Sequence, residues 1–147
     1  MKIAALIARN LLGVMFVVFG LNGFLHFIPQ PPPPAGVATQ FLTALGTSGY
    51  LVPVFALQLV GGALLLANRF VPLGLTLLGP VIVNVLLFHA LMAPAGIAPG
   101  LVAAVLWLVV FGSVRRAFAG VLAMRVREEG TSSEAVALEG VPAIRTA

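Results

Sequence analysis

Between Ile3 and Val114 the chain carries two charged side chains, Arg9 and Arg69, and not one carboxylate. A soluble domain carries about 25% charged residues, whereas here 8% are charged and 61% hydrophobic. Such a stretch cannot clothe a water-facing surface, so the chain is expected in a bilayer, where each spanning helix needs about 20 apolar residues. In 147 residues four spans fit as one unit. The expected fold class is therefore all-α, an integral membrane four-helix bundle.

Proline, glycine and arginine mark off the four runs. The first covers about residues 3–28 and ends at Pro29-Gln30-Pro31-Pro32-Pro33-Pro34, because proline lacks an amide donor and disfavours a helical residue before it. Met1-Lys2 ahead of an apolar segment also fits a signal peptide. Arg9-Asn10 interrupt that segment, however, and a proline run stands where an Ala-x-Ala site belongs, so a retained span is expected. Within it Arg9, Gly13, Phe16, Gly20, Gly23 and Phe27 recur at steps of three and four, a stripe whose glycines permit close helix approach.

The proline run should be stiff polyproline II. A short helix over Val37 to Leu45 is expected along the membrane surface, with Val37, Phe41 and Leu45 on one side, broken by Gly46-Thr47-Ser48-Gly49-Tyr50. The second span is expected at 51–67, the third at 71–92 and the fourth at 97–114. Pro80 lies inside the third and should kink it. Residues 117–147 read as a cytoplasmic extension, helical over Ala117 to Glu129 and then disordered, holding all four acidic residues, Glu128, Glu129, Glu134 and Glu139.

Basic residues set the expected orientation. Lys2 and Arg9 precede the first span, Arg69 joins the second and third, and Arg115, Arg116, Arg125 and Arg127 follow the fourth, while the other two connections are uncharged. Cytoplasmic loops collect Lys and Arg, so both termini are expected in the cytoplasm, with Arg9, Arg69, Arg115 and Arg116 as topology anchors. The net charge of +4 is not a nucleic-acid footprint, because no basic cluster is interleaved with aromatics.

Five polar side chains interrupt the apolar runs: Asn22, His26, Gln58, Asn84 and His89. Asn22 and His26 are four residues apart and share one helix face. At about 1.5 Å per residue counted from Arg9 or Arg69, Asn22, Gln58 and Asn84 fall at similar depth, roughly 16 to 23 Å from the cytoplasmic end. His26 and His89 lie further out. A shared pocket opening outward is the functional expectation, since ionisable groups inside spans mark sites. The competing reading makes Asn22, Gln58 and Asn84 interhelical hydrogen-bond glue.

Other chemistry lacks its groups. The chain has no cysteine, hence no disulfide or thiolate metal site, and no metal ligand set is expected. Paired-carboxylate catalysis has no carboxylates in the spans, and a Ser/His hydrolase has no orienting acid. Two histidines on different spans could hold a haem, but their placement at the edge argues against it.

The chain resembles the DoxX-like four-helix membrane proteins. The resemblance rests on Ala8-Arg9-Asn10-Leu11-Leu12-Gly13 and Phe19-Gly20-Leu21-Asn22-Gly23-Phe24 in span one, Gln58-Leu59-Val60-Gly61-Gly62-Ala63-Leu64-Leu65-Leu66 in span two, Asn68-Arg69-Phe70 leading into span three, and Asn84 with Phe88-His89 within it. It covers about residues 5–115 and implies a bacterial inner-membrane protein, some relatives being subunits of quinone-linked oxidoreductases. Where many relatives carry a glutamate before the paired glycines, this chain has Gln58. The resemblance thus implies a quinone or small-lipophile binder, or a membrane subunit of a redox complex with partner subunits, rather than a complete enzyme. A structural or assembly protein without ligand, and a transporter or permeation subunit, stay open beside it, as does the oligomeric state.

Overall fold

The computed structural model describes residues 2–29 and 32–120, and the described residues are all-helical, without a strand. The helices are α1 (Lys2–Leu25), α2 (Val37–Thr47), α3 (Leu51–Leu66), α4 (Val71–Leu91) and α5 (Ile97–Val114), with short 3-10 turns at Pro94–Gly96 and Arg115–Phe118. They belong to one compact unit, Met1–Ala117. The expected helix to Glu129, Arg125, Arg127 and the acidic tail lie outside the described residues, as do Gln30 and Pro31 of the proline run.

α1, α4 and α5, the last taken with its flanking turns, are long and apolar enough to cross a membrane. α3 reaches this only together with α2, to which it is joined at a bend of 82°. Its 16 residues rise about 24 Å. Large apolar side chains are exposed on all four long helices, among them Ile7, Val60, Val83, Leu101 and Leu108. On a soluble monomer such extensive exposure would be an aggregation surface, whereas on a membrane protein it is the lipid-facing surface.

α1 packs against α3 and α5, and α4 packs against α3 and α5, so the four long helices form a ring. Neighbours run antiparallel. Gly13 of α1 meets Leu66 of α3 while Gly23 meets Phe55, and Trp107 of α5 lies beside Gly79 of α4 while Gly100 meets Leu86. The paired glycines of α3 are about 100° apart around the helix and serve different neighbours. A Cβ on Gly62 would stand 2.9 Å from the carbonyl oxygen of Gly13 in α1, and one on Gly61 would stand 3.3 Å from that of Gly74 in α4. With no side chain at either position, backbones approach where dispersion is strongest. Leu12, Leu65, Leu75, Leu78 and Val110 are fully buried between them. Of the expected stripe on α1, Gly13, Phe16 and Gly20 are buried, but Phe27 lies beyond the helix and is exposed.

α1 stops at Leu25, three residues before the expected end. The cause is local: His26 takes a left-handed backbone, φ 52°, and the Asn22 side chain captures the amide of Ile28. α2 runs two residues past its expected end, to Thr47, and turns a different face inward. Ala38 is buried and Phe41 stacks on Phe88 of α4 at 6.0 Å, while Val37 is exposed. α4 continues through Pro80. Trp107 of α5 donates to the carbonyl of Leu75 in α4 at 2.9 Å and stacks on Phe111.

The antiparallel order brings Arg9, Arg69, Arg115 and Arg116 to one end of the ring. Arg9 is more than a surface anchor. Its Nη1 donates to Oδ1 of Asn68, tying α1 to the turn between α3 and α4. Asn68 and Phe70 in that turn both adopt left-handed backbone, φ 53° each. At the opposite end lie the described parts of the uncharged connections, residues 26–29, 32–50 and 92–96.

Candidate functional site

A cavity of about 610 Å³ opens in the half of the ring away from the arginines. Each long helix contributes a face at helical spacing: Met15, Phe16, Phe19, Asn22, Gly23 and His26 at the end of α1, Leu51, Phe55 and Gln58 on α3, Ile82, Val85 and His89 on α4. The fourth side is made of Gly96, Pro99, Gly100 and Ala103, where Gly96 and Gly100 let His89, Val85 and Leu86 of α4 approach closely. No lining residue carries a carboxylate, an ammonium or a guanidinium. The size and the few polar groups among apolar ones are those of a small-molecule site.

Four of the five polar residues singled out from the sequence line this cavity, namely Asn22, His26, Gln58 and His89. Asn84 does not. It is exposed, and its Nδ2 donates to the carbonyl of Pro80 one turn back at 3.0 Å. Depth placed it with the others, but rotation did not. The inward positions of α4 are 82, 85 and 89, and at about 100° per residue Asn84 points well away from them.

The four lining residues differ in what they leave free. Asn22 is 8% exposed, and its Oδ1 accepts the Ile28 amide at 2.6 Å, while its Nδ2 reaches the Ile28 carbonyl only at 3.5 Å. Its first task is thus to close the end of α1, compensating backbone groups that the early stop exposes. His26 is exposed, and its left-handed backbone suits the position that follows a helix. It stands at the cavity edge rather than inside.

Gln58 is also 8% exposed. No hydrogen bond joins its side-chain amide to any described residue, although Asn22 and His89, both bonded, line the same cavity. His89 is half-buried and held on both sides. Its Nδ1 lies 2.9 Å from the carbonyl oxygen of Ala93, and the Phe88 ring meets it edge-on. Gly96 makes room for the ring, since a Cβ there would lie 2.3 Å from His89 Cε1. A carbonyl oxygen can only accept, so Nδ1 carries the proton and, in the neutral ring, Nε2 is left as an acceptor.

Phe19, Phe55 and the small residues of α5 were not anticipated as part of the site. Their signal was present as spacing: 96, 100 and 103 fall on one face, as do 51, 55 and 58. Among the described residues no three His, Asp or Glu side chains gather. Comparison of the chain with protein-family models, curated proteins and solved structures gives no match.

Proposed function

We propose that the chain is a DoxX-like four-span protein of a bacterial inner membrane, both termini cytoplasmic, whose outer cavity takes a neutral lipophile such as a quinone head group. On this reading it serves as the membrane subunit of a redox complex. The observation that carries the proposal is Gln58, 8% exposed as a residue on the wall of a 610 Å³ cavity, whose amide bonds to no other described residue. Its amide N and O are not sealed in protein, so they are open to hydrogen bonds from a ligand in the cavity. A quinone presents carbonyl acceptors on an apolar ring, which suits an amide donor among Phe16, Phe19 and Phe55.

The uncharged wall supports a neutral ligand over an ion, because a charge transferred from water would meet no counter-charge. The glue reading is weakened at Gln58, which has no partner to bond, and strengthened at Asn22, which has one. The test uses purified protein and a short-chain ubiquinone analogue. The native chain should gain thermal stability with added quinone, and Gln58→Leu should fold but lose that gain by about tenfold in affinity. An equal gain in both proteins would sink the site.

A further inference from the structure

His89 differs from the other polar groups of the cavity in having only one thing left to offer. Gln58 and Asn22 carry amides, which can donate, and the free oxygen of Gln58 can accept as well. The His89 ring has its proton committed to the Ala93 carbonyl at 2.9 Å and is seated over Gly96 with no space to swing toward it. Reversing the tautomer would leave Nδ1 and a carbonyl oxygen facing each other as two acceptors. The neutral ring therefore keeps a fixed acceptor, Nε2, in a residue that lines the cavity beside the polar Asn22, His26 and Gln58 and otherwise apolar side chains.

We propose that the cavity selects lipophiles bearing a hydroxyl donor, phenolic or alcoholic, over ethers and other acceptor-only molecules of the same shape, with His89 as the residue that reads the hydroxyl. This rests on the reading that the cavity holds a lipophile, and it adds which chemical class is preferred: of a quinone couple, the hydroxyl-bearing quinol binds more tightly than the acceptor-only quinone, which the Gln58 amide still admits. Selectivity arises because an acceptor-only ligand would set its lone pair against Nε2 and leave both unsatisfied in an apolar site. Binding to the Gln58 amide discriminates little, since that group accommodates a donor or an acceptor. The positions of Gly96 and Ala93 matter as much as the ring, because together they fix which nitrogen is bare.

A matched pair of probes tests this: 1-naphthol and 1-methoxynaphthalene, titrated calorimetrically into the full chain in detergent at mildly alkaline pH, with affinities corrected for partition into micelles. The native protein should bind the naphthol about tenfold more tightly than the ether. His89→Leu should bring the two affinities together, the naphthol losing its acceptor and the ether relieved of the facing lone pair. Gly96→Ala keeps the imidazole but displaces it from Ala93, and it should relax the preference in the same direction. Equal affinities in the native chain, or tighter binding of the ether, overturn the hydroxyl preference and leave the lipophile cavity standing. If neither probe binds, the lipophile cavity itself is overturned, and the hydroxyl preference falls with it.

Discussion

Asn22 and Gln58 are buried to the same degree, 8% exposed each, but one amide has a backbone partner and the other has none. That difference separates what their removal should do. Asn22→Ala removes the side chain holding the Ile28 amide and leaves a part-buried donor without that partner, so it should destabilise the protein by about 1 kcal/mol. The loss is measurable as a lowered midpoint in reversible detergent unfolding, and a midpoint equal to that of the native protein would remove the capping role. Sequence reading found both amides and their depth, because depth follows from counting residues along a helix. It did not find the partner of Asn22, which lies six residues on in a segment expected to be helical. Nor did it exclude Asn84, although His89 lies five residues further on and about 140° round the helix, too far to share a face.

Among the elements, α3 carries the tightest approach. Gly62 faces the backbone of α1, so its added methyl would meet a carbonyl oxygen at 2.9 Å that no rotamer change can move. Gly79, on α4, has only the Trp107 ring at 3.6 Å, an ordinary contact. Gly62→Ala should therefore cost about 1–3 kcal/mol through overpacking, while Gly79→Ala should be nearly neutral. Thermal unfolding of the two single variants side by side checks the contrast, and equal midpoints would mean that α1 and α3 can part without cost. The helices themselves were legible to within a few residues, since each run ends at proline, glycine or arginine. Which side each helix turns inward was less so. In α2 the expected stripe at Val37, Phe41 and Leu45 gave the correct aromatic but the wrong neighbour, because Ala38 is buried and Val37, about 100° round the helix, is exposed.

For the whole molecule, the proposed orientation in the membrane rests on the described arginines, which collect at one end of the ring. Arg9, Arg69, Arg115 and Arg116 share that end with the turn that Asn68 closes, and the connections at the other end have no charge. With the arginines cytoplasmic, a cysteine placed at Ser48, an exposed position in the break between α2 and α3, should react with a membrane-impermeant maleimide in intact spheroplasts. Labelling only after permeabilisation would invert the topology. The membrane character of the chain was legible from the charge distribution alone. The cavity was not, because it depends on which faces of four separate helices turn toward one another, and rotation about each helix is not readable from spacing along one chain.

The shortness of α3 has a consequence for the surrounding lipid. Its 16 residues reach about 24 Å, against about 31 Å for the 21 residues of α4 on the same ring. A hydrocarbon core near 30 Å matches one flank and overshoots the other. Because α2 folds away at 82° instead of extending α3, the deficit persists on that side. The acyl chains there must compress, drawing headgroups and interfacial water inward beside Leu51 and Phe55, where the cavity wall begins. This hydrophobic mismatch predicts that the protein is more stable in short-chain than in long-chain lipids.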